Sequence, residues 1–314
     1  MAQGLRHKDF KDNLVLYGAL TANVGIAIAK FIAAGITGSS SMLTEGVHSL
    51  VDSFNQLLLL YGQGRSSKPA DLAHPFGYGR ELYFWAFVVA MLIFSVGAGV
   101  SIYEGWQHFS HPHPLNSPTV NFVVLAIAFV LEGASWVLAV RELTRDQGER
   151  SWWQLVKRSK DPSSFIVLFE DSAALIGLVV AAIGVWASHA LGDPRIDGVA
   201  SMVIGAVLAV VAILLAREAK GLIIGESADP ALTRRLREML ERRPEITAVN
   251  HVRTIHTAPE IVFVAVSADF TDGLSMGEGE RLIEEMEQEL RAVSANLGSI
   301  YIRPERKEDS VSLE

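Results

Sequence analysis

Long apolar runs separated by short polar stretches fill the first two thirds of the chain. Six of these runs are long enough for a helix to cross a bilayer, which takes ~20 residues. They cover residues 14–36, 41–62, 82–103, 120–140, 164–187 and 199–215, and the last run can extend to residue 224. This pattern predicts an α-helical membrane domain with six transmembrane helices over residues 1–224.

The chain after residue 224 is polar and contains short periodic segments. Ser227 or Asp229 can cap a helix that has Pro230 in its first turn. Two runs that are rich in β-branched residues, ITAVNHVRTIH and IVFVAVSADF, flank the sequence TAPE. They predict two strands that are joined by a turn.

A second helix and a third strand complete this pattern. The segment SMGEGERLIEEMEQELRAV carries apolar residues at the helical spacing of about four, namely Leu282, Met286 and Leu290. The segment SIYIRPE then predicts a strand. The order αββαβ predicts a small α+β domain over residues 225–308, followed by a disordered tail over residues 309–314.

Composition supports a membrane protein and limits the available chemistry. Half of the 314 residues are hydrophobic, and the mean hydropathy is +0.28. The chain has no cysteine, which excludes disulfides and thiolate metal ligands. The first residues, MAQGLRHKDFKDN, lack the apolar core of a cleavable signal peptide and do not resemble a transit leader. We therefore expect the first helix to direct insertion, with the bacterial inner (cytoplasmic) membrane as the expected location.

Charge is distributed unevenly along the chain. The net charge is −8, and the part from Glu226 onward holds 18 acidic and 11 basic residues, which leaves −7 there. Such an acidic segment is poorly suited to nucleic acid. Lysine and arginine concentrate before the first run and in the second-to-third and fourth-to-fifth connections, so both termini are predicted to be cytoplasmic. The fourth-to-fifth connection includes SWWQLVKRSK, which suits a membrane interface.

Several ionisable side chains fall inside the predicted spans, where each costs several kcal/mol and usually marks a site or pathway. They are Lys30, Glu45, His48, Asp52, Glu132, Glu170 and Asp171. His48 and Asp52 are four residues apart, so both lie on one face of a helix. Together with an oxygen of Asp171 they suit a divalent transition metal such as Zn²⁺, with Mn²⁺, Fe²⁺, Co²⁺ and Cd²⁺ as other options.

Other interpretations of these acids stay open. A buried ion-pair network, with Lys30 neutralising an acid, is the structural alternative to a metal site. Glu45 can be a ligand, a proton acceptor or a hydrogen-bonding partner of His48. Glu132 either pairs with Lys30 or takes part in transport. Glu170 precedes Asp171 and points about 100° away on a helix, so the two do not easily face one ion.

The order of these motifs resembles the cation diffusion facilitator family over almost the whole chain. HSLVD is similar to the family's (H/D)xxxD motif, ADLAHPFGYGRE to its loop after the second helix, and DPRIDGVASMVIG to the start of its sixth helix. IGES also fits the entry into the soluble part. HPFGYGRELYFW, FVLEGASW and VLFEDSAALIG most resemble the branch that contains the mitochondrial zinc-transporter homologue and its bacterial relatives.

The resemblance implies a homodimer in the lipid bilayer that exports a divalent metal, with Zn²⁺ expected, in exchange for protons by alternating access. It also implies a cytoplasmic, ferredoxin-like domain that dimerises, and no cofactor apart from the transported ion. His48, Asp52 and Asp171 match three of the family's four transport ligands. The fourth position is Val167, which cannot bind a metal.

This departure leaves the cargo open. Glu45, Glu170, water or a backbone carbonyl can replace the missing ligand, or the site can prefer a metal with more oxygen ligands, such as Mn²⁺ or Fe²⁺. In the loop, Asp71 and His74 match two ligands of a further family site, but Tyr78 occupies the third position. We expect at most a weak loop site, with structural capping by His74 favoured.

The remaining histidines lie outside the spans. The family's regulatory histidines are replaced in the tail by Asn250, Ala265 and Arg303, while the spacing of His251 and His256 does not suit a two-metal cluster. The tail is therefore predicted to dimerise without a regulatory zinc pair. In the Pro-rich third connection, His108, His111 and His113 form an HxxHxH pattern that can bind a metal loosely. Surface histidines among prolines more often belong to an ordinary loop, which is the favoured interpretation.

The chemistry of histidine suggests how transport is coupled to protons. Its ordinary pKa lies near 6.5, so protons and metal compete for a histidine ligand at physiological pH. The sequence has no GxxxxGK[ST] loop for ATP. A membrane metal sensor or scaffold without transport is the main rival. An intramembrane metalloenzyme is disfavoured, because HExxH and a second histidine on a predicted span are both missing.

Overall fold

A computed structural model describes residues 9–144 and 160–310. Long helices dominate the first part of this structure. They are α1 Asp9–Thr37, α2 Ser40–Ser66, α3 Glu81–Leu92, α4 Gly99–Ser110, α5 Pro118–Thr144, α6 Pro162–Leu191 and α7 Arg195–Ile224. A π-helical turn, Ile93–Ala98, joins α3 to α4 so that both belong to one continuous helix.

Four helical stretches among the described residues are long and apolar enough to cross a membrane. They are Glu81–Ser110, Pro118–Arg141, Phe165–Leu191 and Arg195–Ile224, which correspond to the predicted third to sixth spans. Large apolar side chains such as Val130 and Ile183 are exposed on them, as lipid contact requires. The described apolar part of α1 is shorter and α2 is rich in polar residues, so membrane crossing by these two helices stays a prediction.

Glycines allow α4 and α7 to approach each other closely. A Cβ atom on Gly105 would lie 2.6 Å from the carbonyl oxygen of Gly198, and one on Gly198 would lie 2.7 Å from the carbonyl oxygen of Gly105. About two turns further along α7, a Cβ atom on Gly205 would lie 3.0 Å from the backbone nitrogen of Ile102. Small residues of this kind commonly form helix contacts in membranes.

A buried carboxylate fixes the turn between α1 and α2. Asp197, in the first turn of α7, is fully buried and accepts hydrogen bonds from the Ser39 hydroxyl at 3.0 Å and from the backbone nitrogen of Ser40 at 2.6 Å. It also accepts from the backbone nitrogen of Ser41 at 3.2 Å and from the Ser41 hydroxyl. Asp197 therefore satisfies the free N–H groups at the start of α2.

A second compact unit contains the described residues 65–83, 160–161 and 220–310. Its elements are α8 Pro230–Glu241, β1 Ile246–Ala258, β2 Ile261–Phe270, α9 Met276–Val293, β3 Leu297–Pro304 and a short 3₁₀ turn, Lys307–Asp309. The sheet order is β1-β2-β3, with β1 antiparallel and β3 parallel to β2. The small sheet and the αββαβ order agree with the sequence prediction.

Local chemistry in this unit also follows the sequence. Asp229 caps α8 by accepting from the backbone nitrogen of Ala231 at 2.9 Å, and Pro230 occupies the first turn. Leu282, Met286 and Leu290 of α9 are buried in the core. Residues 311–314 of the predicted disordered tail and residues 151–159 of the predicted interface segment lie outside the described residues, whereas Asp309 ends the 3₁₀ turn.

Candidate metal-transport site

His48 and Asp52 form the first part of the site on α2. The Nδ1 atom of His48 lies 3.3 Å from Oδ1 of Asp52, as the spacing of four residues predicts. His48 is 1% exposed, and neither of its ring nitrogens has a hydrogen-bond partner among the described residues; the same holds for Oδ1 of Asp52. Buried polar atoms are normally paired, so these atoms are available to a ligand.

A cavity of about 270 Å³ brings acids from three helices together. It is lined by Asp52 of α2, Glu132 of α5, and Glu170 and Asp171 of α6, with Val167 on the same wall. Asp52 thus connects His48 to the cavity. Among the described residues, no three His, Asp or Glu side chains are close enough to hold a metal ion together. The acids border one cavity without forming a closed coordination shell.

The two neighbouring acids of α6 have different partners. Asp171 accepts a hydrogen bond from the hydroxyl of Ser135 at 2.8 Å. Glu170 accepts one from the side-chain amide of Asn55 at 2.7 Å. The sequence predicts that they point apart on a helix, and their separate partners agree with this, although both border the cavity. Asn55 and Ser135 were not singled out from the sequence. Their polar side chains within predicted membrane spans were the feature that could have indicated a role near the acids.

A buried lysine links the acids of two other helices. Lys30 of α1 is fully buried, and its Nζ lies 3.0 Å from Oε2 of Glu45 and 3.0 Å from Oε1 of Glu132. It also donates to the hydroxyl of Ser49 at 2.8 Å. Glu132 therefore pairs with Lys30, which is one of the two interpretations that the sequence left open for it. Glu45 pairs with Lys30 as well, an arrangement that was not among the alternatives named for this acid. Ser49 did not stand out in the sequence, because its role depends on how α1 and α2 pack.

The loop residues form a hydrogen-bonded turn. Asp71 accepts from the backbone nitrogen of His74 at 2.7 Å and from the hydroxyl of Tyr78 at 2.7 Å. The Tyr78 hydrogen bond holds the pKa of Asp71 below its usual range, and the same bond raises the pKa of Tyr78. The side-chain cap of this turn is thus Asp71 rather than the expected His74, whose carbonyl accepts from Gly77 at 2.9 Å.

The tail histidines lie apart on β1. His251 is paired with Ser267 and His256 with Val262, so the two are separated by five residues, or about 17 Å along a strand. Burial lowers the pKa of both side chains. Asn250, at a position where the family resemblance implies a histidine, donates to the hydroxyl of Ser267 at 3.1 Å. Asn250 therefore stabilises the pairing of β1 with β2.

Only two of the three histidines near the end of α4 lie close to each other, and His108 lies in the last turn of α4 rather than in the predicted connection. The rings of His108 and His113 have centroids 6.4 Å apart, and Nε2 of His108 is buried without a hydrogen-bond partner among the described residues. His111 directly follows the last residue of α4, and its backbone nitrogen donates to the carbonyl of Gln107 at 2.8 Å.

Polar side chains around a cavity between membrane-length helices are typical of a membrane transport protein. Comparison with known proteins identifies the kind of transporter. A model of the cation efflux transmembrane domain matches residues 16–224. The chain belongs to the cation efflux family, also called the cation diffusion facilitators, whose members are transporters rather than enzymes.

Several named relatives are similar to this chain. The human protein "Proton-coupled zinc antiporter SLC30A9, mitochondrial" is 35% identical over 226 residues, which are 71% of this chain and 40% of that protein. "Metal tolerance protein C4" of Arabidopsis thaliana is 33% identical and is matched over 67% of this chain and 47% of its own length. "Cation-efflux pump FieF" of Pectobacterium atrosepticum is 27% identical over 88% of this chain and 87% of the pump. The chain thus spans less than half of the first two relatives.

Proposed function

We propose that this protein exports a divalent transition-metal ion, with Zn²⁺ as its main cargo, in exchange for protons. The observation that carries the proposal is the cavity that Asp52 and Asp171 border from different helices, with His48 3.3 Å from Asp52. A nitrogen and two carboxylates are suitable ligands for Zn²⁺. The name of the human relative, a proton-coupled zinc antiporter, supports the same cargo and coupling.

The proposed mechanism is competition between metal and protons for the same atoms. When the cavity opens to the cytoplasm, neutral His48 and ionised Asp52 and Asp171 take the metal ion. The carboxylates offset its charge, which is costly inside a membrane. When the cavity opens to the other side, protons take these atoms and the metal leaves. Alternating exposure of the cavity then couples metal efflux to proton entry without ATP.

A second cargo is supported by the composition of the cavity wall. Val167 supplies no donor atom at the position where the family resemblance implies a ligand, whereas Glu132 and Glu170 border the same cavity. A site with more oxygen atoms favours harder cations, so Mn²⁺ or Fe²⁺ is the alternative cargo. The relative named as a cation-efflux pump fits either choice.

We further infer the arrangement in which this site works. Residues 1–224 form the membrane domain with six crossings, both termini are cytoplasmic, and residues 225–308 form a domain through which two copies dimerise. The bacterial cytoplasmic membrane stays the expected location. The lysine and arginine distribution supports this orientation.

Metal uptake into sealed proteoliposomes with an imposed pH gradient tests this function. Zn²⁺, Mn²⁺, Fe²⁺, Co²⁺ and Cd²⁺ are supplied separately, and the membrane potential is clamped. We expect saturable uptake of Zn²⁺ that falls to background in Asp52→Ala and in Asp171→Ala. Glu104→Gln is the matched control, because Glu104 lies on α4 and does not line the cavity.

Each other result contradicts a defined part of the proposal. Binding without uptake would indicate a metal sensor or scaffold. Uptake that survives both alanine substitutions would place the site elsewhere. Uptake that ignores the pH gradient would exclude proton coupling, and preferred uptake of Mn²⁺ or Fe²⁺ would establish the alternative cargo.

A further inference from the structure

Lys30 is a fixed cation beside the proposed transport cavity. Its ammonium group has three N–H donors, and the structure gives it three acceptors: Glu45 at 3.0 Å, Ser49 at 2.8 Å and Glu132 at 3.0 Å. The side chain is fully buried on α1. An unpaired ammonium there would be strongly unfavourable, so this set of contacts defines where a positive charge is held.

Glu132 is the partner of Lys30 that also borders the cavity. Its Oε1 atom contacts Lys30, whereas its Oε2 atom is buried without a hydrogen-bond partner among the described residues. Asp52 and Asp171 border the same cavity, and so does Val167, which has no donor atom. One carboxylate thus lies between a resident ammonium and the space proposed for the cargo.

We propose that Glu132 exchanges between two cations: it holds Lys30 while the cavity is empty and binds the metal ion when the cavity fills. This inference rests on the proposed transport function. Glu132 would supply an oxygen ligand from α5. This ligand replaces the one that Val167 of α6 cannot provide. In the exchange, one contact between Lys30 and Glu132 breaks and one contact between the metal and Glu132 forms.

The remaining contacts of Lys30 make this exchange feasible. After Glu132 leaves, the ammonium keeps Glu45 and Ser49. Glu45 already accepts from Lys30 through its Oε2 atom. Its other oxygen, Oε1, is buried without a hydrogen-bond partner among the described residues, so it can accept from the N–H group that Glu132 releases. The positive charge therefore stays paired throughout. The return of Glu132 to Lys30 then favours release of the metal ion, so Lys30 acts as an internal competitor of the cargo.

Calorimetric titration of the purified full-length protein with Zn²⁺, in detergent at constant pH, tests the exchange. Glu132→Gln removes an anionic ligand and is expected to weaken binding about tenfold or more. Lys30→Met removes the competitor and is expected to tighten binding by about tenfold, a difference of ~1.4 kcal/mol. Glu104→Gln is expected to bind as the unmodified protein does.

The double variant separates an exchange from a merely structural role. If Lys30 acts through Glu132, Lys30→Met has no further effect on affinity when Glu132→Gln is already present. Lys30→Gln, whose amide can still donate to Glu45, serves as the second variant if Lys30→Met does not fold. In proteoliposomes, slower Zn²⁺ turnover together with tighter binding is expected for the folded Lys30 variant.

Three results would overturn the exchange. They are unchanged or weaker Zn²⁺ binding in the folded Lys30 variant, unchanged binding in Glu132→Gln, and an effect of Lys30 that persists without Glu132. The transport proposal itself fails separately, when uptake survives Asp52→Ala and Asp171→Ala. If those two variants are inactive while Glu132→Gln binds Zn²⁺ normally, only the exchange is wrong.

Discussion

Individual buried polar residues have two different roles in this protein: some offer atoms to a ligand, and others stabilise the fold. Around the cavity, His48 and Asp52 keep buried atoms without hydrogen-bond partners among the described residues. Asp197 has the opposite character, because four donor groups surround its carboxylate. Unpaired polar atoms are costly to a fold and therefore suggest a ligand, whereas fully paired ones stabilise it.

The substitution Asp197→Asn tests whether Asp197 stabilises the fold by capping α2. An amide keeps one acceptor oxygen but replaces the other with a donor, so donors at the start of α2 lose their partner. We expect the variant to lose about 2–3 kcal/mol of unfolding free energy, since hydrogen bonds to charged groups are worth more than neutral ones. Unfolding in detergent, followed by tryptophan fluorescence, measures this loss.

The control for this variant is Asp193→Asn. Asp193 is exposed and accepts from the backbone nitrogen of Arg195 at 3.0 Å. Its substitution is expected to change stability little. Equal stability of Asp197→Asn and the unmodified protein would contradict the role of Asp197 as the cap of α2.

At the scale of elements, the sequence predicts those features that depend only on residues close together in the chain. The cap of α8 at Asp229 and the buried face of α9 at Leu282, Met286 and Leu290 follow from spacing and residue type, and the structure has both. His48 and Asp52 likewise meet because they belong to one helix. These features need no knowledge of how helices pack.

Features that depend on how the helices pack were harder to predict from the sequence. Lys30 of α1 contacts both Glu45 of α2 and Glu132 of α5. The sequence allowed a pair between Lys30 and Glu132 as one alternative, but it could not decide for that pair or show that Glu45 joins it. Asp197 follows a turn, so its burial could not be read from its position in the chain. The π-helical turn, Ile93–Ala98, lies within a predominantly apolar run, and the hydrophobic pattern there gives no sign of a change in backbone hydrogen bonding.

The close approach of α4 and α7 can be tested with Gly105→Val. The added side chain would meet the Gly198 carbonyl, so the helices must separate. We expect a loss of about 1–3 kcal/mol of unfolding free energy, as for other overpacked sites. The same unfolding measurement in detergent applies.

Gly35→Val is the matched control for this substitution. Gly35 also lies within a helix, is exposed, and has no neighbouring atom within 4 Å of an added Cβ. The comparison therefore removes the general effect of a β-branched residue in a helix. If both variants were equally stable, close packing of α4 on α7 would not contribute to the fold.

At the scale of the whole molecule, the proposed chemistry is confined to the membrane domain. The combined substitution of His251 and His256 by Asn is therefore expected to leave the amount of Zn²⁺ bound per chain unchanged, because the two histidines are too far apart to share an ion. Equilibrium dialysis with metal analysis measures this ratio in the full-length protein.

Asp52→Ala provides the comparison for this stoichiometry, since it is expected to remove the transported ion from the site. A lower ratio in the double-histidine variant would show that the tail binds metal. Circular dichroism checks that the substitution of His256, which is 8% exposed, leaves the sheet folded.

The π-helical turn has a consequence for how related chains can differ in length. A π turn absorbs one extra residue while the helix on either side keeps its phase. A relative that lacks one residue here would still direct the equivalent of Gly105 toward α7. The same deletion within α3 or α4 would rotate that glycine by about 100°. Single-residue alignment gaps in the helical span Glu81–Ser110 are therefore expected to fall within residues 93–98, where the length of the helix can change while Gly105 keeps its contact with α7.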